Sequence, residues 1–348
     1  MKALLKSGDR PGFRLCELPL PVPAEDEVLV RVLRTGICGT DLHIEAWDDW
    51  ARSAVCAPRV PGHEFAGVVE AGPPSGPAPG TLVSGEGHVV CGQCRTCRAG
   101  RRHQCPQTER IGVERDGAFA EYMTLPAENI WTLPPTTALE TAVLFDPLGN
   151  AVHAVTSFPV TGEDVLITGA GPIGLMSAAV ARHLGARRVV VTETEPYRRK
   201  LAQSVGAHCV IDPSDRPLTE SLAALVPGID DGFALAVEAS GHPGGIHDAL
   251  GHLAPGGRIA VLGIPARAVE IDWSAIVLRM TGIQGIHGRR IFDTWRMASA
   301  LLDSGLDPTP VITHHFGYEH YEAAFATARE GTSGKVVLDW SIPCTSES

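Results

Sequence analysis

The hydrophobic and polar positions change their pattern about half-way along the chain, and the change predicts two structural regions. In the first region, short apolar runs alternate with proline and glycine, which is typical of strands in a compact, mostly β domain. The predicted strands cover residues 28–32 and 67–69, and residues 118–123 continue the pattern. We therefore expect the N-terminal part to be built mainly from β-strands.

From about residue 164 onward, buried strands alternate with amphipathic helices. Strands are predicted at residues 165–168, 189–192, 209–211, 234–237 and 258–262, and helices at 172–184 and 196–205. This alternation predicts βαβ units around a parallel sheet. A helix at 292–302 follows, and then a segment that ends in the apolar run 335–338 and has no site of its own.

Composition narrows the class of protein. The chain has 348 residues, of which 44% are hydrophobic and 20% charged, enough for two soluble domains. Its net charge of −11 argues against nucleic acid or an anionic membrane as a partner. Residues 165–181 are uncharged, but their glycines and proline favour a strand, a turn and a helix over a membrane span. Residues 1–10 show no targeting signal, so we expect a cytoplasmic protein.

The nine cysteines indicate metal sites or catalytic thiols, because an odd count without a secretion signal does not favour a disulfide framework. Isolated cysteines, expected to be small core or surface thiols, occur at Cys16, Cys56, Cys209 and Cys344.

Four other cysteines form one cluster. Their pattern is Cys91-x2-Cys94-x2-Cys97-x7-Cys105. Four thiolates leave no open position on a zinc ion, so this spacing predicts a structural zinc site; an iron–sulfur cluster is the alternative. The arginines at positions 95, 98, 101 and 102 could suggest a nucleic-acid patch, but they also balance the negative charge of such a site.

A second ligand set lies nearer the N-terminus. Cys38 follows a glycine turn, and His63 and Glu64 follow Gly62. A thiolate, an imidazole and a carboxylate suit a catalytic zinc with one open position. Thr40 and His43, beside the first ligand, could carry a proton away from a metal-bound group. The alternative is a buried cysteine and an unrelated histidine, which the combined motifs make less favourable.

The run Gly169-Ala170-Gly171-Pro172-Ile173-Gly174 lies between a predicted strand and helix. There Gly169 permits a tight turn, Gly171 lets the backbone approach a pyrophosphate, and Gly174 lets the helix pack on the strand. Glu193, nineteen residues beyond Gly174, can accept both hydroxyls of an adenosine ribose and favours NAD over NADP. Residues 198–200 are cationic and could hold a phosphate; for Arg199 and Lys200 we favour a solvated helix face.

These motifs together resemble the zinc-dependent medium-chain alcohol dehydrogenases over nearly the full length. The resemblance rests on residues 37–43, 84–88, 145–153, 165–174, 262–265 and 271–273. It implies an α/β fold: a Rossmann doubly wound parallel sheet (151–291), which binds NAD, plus a mostly β GroES-like catalytic domain (1–150 and 292–348). It also implies one catalytic and one structural zinc, a relay through Thr40 and His43, and Asp146 near the metal.

The resemblance further implies a set of cofactor contacts. These are Ile173, Glu193, Arg198, Leu262, Gly263, Ile264, Ile286 and His287. Three positions depart from the family pattern, which would have aspartate at Glu193, tyrosine at His287 and an acidic residue at Arg290. The last two positions concern the choice of substrate more than the chemistry.

The expected activity is NAD-dependent oxidation of a secondary hydroxyl, with a small amino-acid alcohol as substrate and, by resemblance, a homotetramer as the assembly. Glu86 is a candidate partner for the substrate ammonium group, and His88 for its carboxylate. Equally, Glu86 could be a solvated loop acid and His88 a structural histidine. Alternative functions are a dehydrogenase of another β-hydroxy amino acid, a diol or a polyol, and a catalytically silent NAD-binding homologue.

Overall fold

A computed structural model of the protein describes residues 1–8, 10–229 and 231–341. Cys344 lies outside the described residues. The strands, in chain order, are β1 Lys2–Leu5, β2 Arg14–Glu17, β3 Glu27–Gly36, β4 Glu64–Ala71, β5 Leu82–Gly85, β6 His88–Val89, β7 Glu109–Arg110, β8 Tyr122–Pro126, β9 Ile130–Thr132, β10 Asp164–Thr168, β11 Arg188–Thr192, β12 Cys209–Ile211, β13 Phe233–Glu238, β14 Leu253–Val261, β15 Gly282–Gly285, β16 Ile312–Gly317 and β17 Lys335–Asp339.

The helices are α1 Gly39–Ala46, α2 Asp49–Ala54, α3 Arg95–Arg98, α4 Leu139–Val143, α5 Phe145–Val155, α6 Pro172–His183, α7 Pro196–Ser204, α8 Leu218–Leu225, α9 Pro243–Gly251, α10 Trp273–Leu278, α11 Asp293–Asp303 and α12 Tyr321–Arg329. Short 3₁₀ turns occur at Arg102–Gln104, Ala127–Asn129, Thr309–Val311 and Tyr318–His320. No described helix has both the length and the apolar composition needed to cross a membrane.

The first compact unit comprises Met1–Asp146 and the described residues from Ile312 on. Its main sheet has the order β16-β17-β3-β4-β5-β9, with β8 also paired to β3. The long strand β3 is the centre of this sheet because it pairs with β4, β8 and β17. Its alternating valines Val28, Val30 and Val32 are buried in the core, as the period of two requires.

The second unit, Pro147–Val311, contains a six-stranded sheet with the order β12-β11-β10-β13-β14-β15. All of its strand pairs are parallel. The order reverses between β10 and β13, and in such sheets a ligand binds beyond the carboxyl ends of the strands at this reversal. The predicted α/β fold class, which combines a doubly wound parallel sheet with a mostly β unit, is confirmed.

Two boundaries differ from the sequence-based expectations. The compact units divide at Asp146/Pro147 and Val311/Ile312, so α11 belongs to the second unit; the functional domain limits 150/151 and 291/292 stay a prediction. The strand predicted at 118–123 begins only at Tyr122, because the preceding residues form a turn against the segment before β4. In that turn, Gly117 N–H donates to Val60 O, and Ala118 N–H to Gly62 O.

Candidate active site and cofactor site

The first candidate ligand, Cys38, is positioned by the junction of β3 and α1. It is the N-cap residue of α1, with extended backbone angles. Its N–H donates to Oδ2 of Asp41 at 2.9 Å, which satisfies a backbone donor at the helix start. Thr40 and His43 follow on the same helix, three residues apart, and residues at that spacing share a helix face.

The other two candidate ligands, His63 and Glu64, lie at the start of β4. Gly62 precedes them with φ of +91°, and a Cβ there would lie 2.6 Å from the Phe119 ring, so only glycine fits. Gly36 pairs with Glu64 across the strands, where a Cβ would lie 2.1 Å from the carboxylate. As a result, one ligand atom each from Cys38, His63 and Glu64 lies within 4.8 Å of the others.

Lys335, on β17, forms a buried ion pair with Glu64. Its Nζ donates to both carboxylate oxygens at 2.7 and 2.6 Å, and to Ile37 O at 3.0 Å. Burial would lower the pKa of Lys335, but the charges of Glu64 and Cys38 raise it. The ammonium group therefore stays charged and holds Glu64 beside the other two ligands.

The site has an excess of acidic groups. Burial raises the pKa of Asp41 to about 6, and its Oδ1 is buried without a hydrogen-bond partner, 3.7 Å from Nδ1 of His63. Burial alone would lower the pKa of His63, yet Asp41 and Cys38 raise it to about 10, with a smaller contribution from Asp146. A divalent cation bound by the three ligands would balance this charge, so the donor set and the electrostatics both fit zinc. Asp146 is nearly fully buried in the first turn of α5 and is outside the ligand trio.

The four-cysteine cluster has the dimensions of a single-ion site. The sulfur atoms of Cys91, Cys94, Cys97 and Cys105 lie within 4.8 Å of one another, and two of the separations are 3.5 and 3.9 Å. Tetrahedral zinc with bonds of about 2.3 Å places its sulfurs about 3.8 Å apart. A cluster of several irons and sulfides needs a wider cage, so the geometry favours one zinc ion. The hydroxyl of Thr96, 3.1 Å from the sulfur, and the Cys97 backbone lower the pKa of Cys94 to about 6, which favours the metal-binding thiolate.

The glycine-rich turn between β10 and α6 has the form expected of a dinucleotide site. Gly169 has φ of +90°, and a Cβ there would lie 2.9 Å from the backbone of Ser240. A Cβ on Gly174 would lie 2.0 Å from Gly169 O, whereas one on Gly171 would meet nothing within 4 Å. The turn is therefore closely packed against the protein at Gly169 and Gly174. At Gly171 it is open, and a pyrophosphate could approach the N-terminus of α6 there.

Glu193 follows β11 and lies against this turn. Its Oε2 accepts the Ala170 N–H at 2.7 Å, and its Oε1 accepts the Glu195 N–H at 2.9 Å. Lys200 is exposed and Arg198 half-buried. The expectation of a solvated helix face is wrong for Arg199, whose guanidinium pairs with Asp212 and donates to the carbonyls of Glu193 and Thr194.

The remaining cofactor candidates follow the carboxyl ends of two neighbouring strands. Leu262, Gly263 and Ile264 come after β14, and Ile286 and His287 after β15. Ile264 is 86% exposed and Ile286 only 7%. Their position at one edge of the parallel sheet agrees with the place where such sheets bind nucleotides.

The two tentative substrate residues contact each other: Glu86 follows β5, and His88 is the first residue of β6. Glu86 is fully buried, so it is not a solvated loop acid, and its Oε1 accepts hydrogen bonds from the N–H and Nδ1 of His88 at 3.0 and 2.9 Å. A Cβ on the intervening Gly87 would lie 3.6 Å from Cβ of His63, which places this run beside the ligand trio. The burial of Glu86 supports a role in orienting His88 and does not support contact with an ammonium group.

Arg290 has a structural role within the second unit. Its guanidinium donates to Oγ1 of Thr156 at 3.0 Å, at the C-terminal end of α5, where a cation also interacts favourably with the helix dipole. Asp146 is in the first turn of the same helix. Sequence reasoning missed this role, and it also missed Lys335, because no local motif links a lysine to a carboxylate 271 positions away.

Comparison with known proteins agrees with this geometry. The family described as the alcohol dehydrogenase GroES-like domain matches residues 24–135, and the family described as zinc-binding dehydrogenase matches residues 172–304. The fold also matches an Escherichia coli alcohol dehydrogenase in complex with NADH (30% identity, TM-score 0.89, 97% and 99% of the two chains). Galactitol-1-phosphate dehydrogenase from Escherichia coli is similar as well (27% identity, TM-score 0.87, 97% and 100% of the chains). The chain belongs to the zinc-dependent medium-chain alcohol dehydrogenases.

Within this family, the chain is similar to proteins named L-threonine 3-dehydrogenase. The one from Saccharopolyspora erythraea is 52% identical over 98% of this chain and 100% of its own length. The one from Solibacter usitatus is 51% identical over 98% of this chain and 100% of its own length.

Proposed function

We propose that the protein is an NAD- and zinc-dependent dehydrogenase that oxidises the secondary hydroxyl of L-threonine to give 2-amino-3-oxobutanoate. The observation that carries the proposal is the 52% identity, over the whole length, to a protein named L-threonine 3-dehydrogenase. The grouped thiolate, imidazole and carboxylate support it further, because a silent NAD-binding homologue has no physical need of all three.

In this proposal, Cys38, His63 and Glu64 hold the catalytic zinc, and the four-cysteine cluster holds a structural one. Zinc bound at the first site would act as a Lewis acid on the substrate hydroxyl and make its proton easier to lose. Asp41, whose Oδ1 lies 3.7 Å from Nδ1 of His63, would orient this histidine in the metal-bound site, a role that carboxylates commonly have next to metal-binding histidines. Lys335 donates to both carboxylate oxygens of Glu64 and so holds this side chain beside the other two ligands.

The hydroxyl proton leaves through Thr40 and His43. Both lie on one face of α1, and the His43 side chain is 59% exposed, so a proton that reaches it can pass to water. NAD, when bound, would supply the acceptor for the hydride on C3 of the substrate. One proton and one hydride leave the alcohol, and a ketone remains.

The second unit binds NAD through the open glycine turn and Glu193. The carboxylate already accepts the N–H of Ala170, which fixes it beside the turn. In that position it can accept the ribose hydroxyls and would repel a 2′-phosphate, so NAD is preferred.

Substrate selection depends on pairing the ammonium and carboxylate groups of an amino acid as water is excluded. His88, held by Glu86, is the candidate for the carboxylate. A second candidate function, oxidation of a diol or polyol, is supported by the similar fold of galactitol-1-phosphate dehydrogenase, although the identity of 27% is much lower.

A substrate panel separates the candidates. The zinc-loaded protein is mixed with NAD and L-threonine, 2-butanol or 2,3-butanediol, and NADH absorbance is followed. A site that hydrogen-bonds specific polar groups can reject analogues lacking them by about 10⁴-fold, so kcat/KM should be far higher for L-threonine. His88→Ala should reduce this preference more than it slows 2-butanol oxidation. Equal efficiency on L-threonine and butanediol would exclude the threonine assignment.

We also propose that the protein is a homotetramer in the cytoplasm. We propose further that it has no nucleic-acid or membrane partner, and the net charge of −11 supports this last point. Strand β15 is an edge of the six-stranded sheet as described, and edge strands offer unpaired backbone groups to another chain. Exposed apolar side chains nearby are Trp273, Val277, Leu278, Met280 and Ile283. A second copy could cover them, and sedimentation analysis would test the assembly.

A further inference from the structure

A carboxylate outside all the motifs above holds the imidazole of His43. Oδ2 of Asp48 is 2.5 Å from Nδ1 of His43. Oδ1 of the same residue accepts the Ala51 N–H at 2.9 Å and caps α2. An ionised carboxylate only accepts hydrogen bonds, so the hydrogen lies on Nδ1 of the neutral ring, and Nε2 keeps its lone pair. The two oxygens of Asp48 thus have separate tasks.

The backbone turn at Trp47, which is fixed by buried contacts, places Asp48 next to His43. Trp47 ends α1 in the left-handed conformation, with φ of 56°, and its N–H donates to His43 O at 2.9 Å. Few non-glycine residues adopt this conformation. The side chain of Trp47 is only 5% exposed, and the ammonium group of Lys6 lies 4.6 Å from its ring centroid. Lys6 also donates to Glu45 O at 3.3 Å, which anchors the last turn of α1.

The His43 ring has a further neighbour in Trp50. The two rings meet edge to face, with centroids 5.9 Å apart. The guanidinium of Arg110 lies 5.8 Å from the Trp50 ring centroid and is itself paired with Glu114. These contacts limit rotation of the imidazole and leave the Asp48 bond to set its tautomer.

We propose that Asp48 is a positioning residue of the proton route: it fixes the His43 tautomer in which Nε2 can accept the proton that leaves the substrate hydroxyl. This rests on the proposed function of the site. The proton moves to Nε2, the positive charge formed on the ring is stabilised by the Asp48 carboxylate, and the proton then passes to water. No bond to Asp48 forms or breaks.

Two substitutions that keep the α2 cap test this. Both Asn and Ser are good N-cap residues. In Asp48→Asn the amide oxygen is needed by the Ala51 N–H, so the NH₂ group faces Nδ1 and donates to it, which forces the hydrogen onto Nε2. In Asp48→Ser the cap remains but nothing imposes a tautomer. We expect Asp48→Asn to lower kcat about 10²-fold, the lower end of the range for general acid–base catalysis, and Asp48→Ser to lower it less.

This ranking separates positioning from a structural role, because asparagine is the closer match to aspartate in shape. Zinc content, melting temperature and KM for NAD should stay close to wild type in both variants. In a His43→Ala background, Asp48→Asn should have no further effect on kcat. Two results would overturn the proposal. One is an Asp48→Asn variant at least as active as Asp48→Ser. The other is a loss of kcat caused by Asp48→Asn that is as large in the His43→Ala background as in the wild type.

A second measurement does not depend on turnover. Diethyl pyrocarbonate acylates imidazole nitrogens that carry a lone pair, and peptide mass spectrometry gives the rate at His43. Modification should be slower in Asp48→Asn than in Asp48→Ser, because Nε2 then carries hydrogen and Nδ1 is covered. Equal rates would refute the role of Asp48. A wild-type protein that oxidises no alcohol would refute the proposed function while leaving this comparison intact.

Discussion

Replacing Lys335 with methionine would show how strongly the core depends on the ion pair behind the candidate metal site. The two partners are almost fully buried, with side chains 3% and 1% exposed, and Lys335 donates to both oxygens of Glu64. Methionine keeps most of the apolar stem but removes the charge, so Glu64 is left buried without its counter-charge. Breaking a buried pair in this way costs about 3–5 kcal/mol.

The assay is urea unfolding of the zinc-loaded and the chelator-treated protein. A bound zinc ion would supply positive charge to Glu64, so we expect the loss in unfolding free energy to be larger after chelation. Lys2→Met is the matched control: Lys2 pairs with Glu17 at 2.7 Å, but the side chains are 36% and 75% exposed. An exposed pair of this kind contributes at most about 1 kcal/mol.

Two results would refute the reasoning. Equal losses in the Lys335→Met and Lys2→Met variants would show that burial does not strengthen the dependence on the pair. The same loss in unfolding free energy with and without zinc would show that a bound zinc ion does not compensate Glu64 for the missing charge of Lys335. The double variant Lys335→Met with Glu64→Gln should recover much of the stability of the chelated protein, since no buried charge remains unpaired.

Three further predictions concern the metals, the cofactor and pH. Cys38→Ser should abolish turnover but leave a folded chain that binds NAD, whereas Cys97→Ser should lower the melting temperature; fewer than two zinc ions per active wild-type chain would contradict both. Glu193→Ala should reduce the ratio of kcat/KM for NAD over NADP, and a wild type that uses both equally would exclude the assigned role. Burial would raise the pKa of Asp164, but Arg188 and Arg187 lower it, so its contribution to stability is present at neutral pH and is lost as pH falls through the folded-state pKa. Asp164→Asn should therefore cost roughly 1–3 kcal/mol at pH 7 and nothing well below pH of about 3.9, a difference that unfolding at both pH values would reveal.

Local patterns predicted the second unit well because its elements are marked by local chemistry. The sequence predicts a helix at 172–184, and α6 runs from Pro172 to His183, since proline fixes its start and apolar residues repeat along one face. The glycines of the preceding turn were assigned from spacing, and the contacts of Gly169 and Gly174 give the steric reasons.

Contacts between residues that depend on the tertiary fold could not be predicted from the sequence. The apolar run at 335–338 predicts a strand. It does not predict that Lys335, the first residue of this strand, pairs with Glu64 on β4, because that contact arises from the pairing of both strands with β3. The contact between Asp48 and His43 could not be predicted either. It depends on the left-handed backbone conformation of Trp47, and tryptophan is not a residue type that favours this conformation. Such contacts arise from tertiary packing and leave no period or spacing to read.

The position of β17 has a consequence for biosynthesis. Glu64 and Lys335 are 271 residues apart, and the whole second unit is made between them. At about 5–20 residues per second, a ribosome needs roughly 15 to 50 seconds to cover that distance. During this interval the nascent first unit lacks β17, so the Glu64 carboxylate cannot yet pair with Lys335. The second unit can therefore complete its sheet first, and β17, which is translated after it, then supplies the lysine that pairs with Glu64.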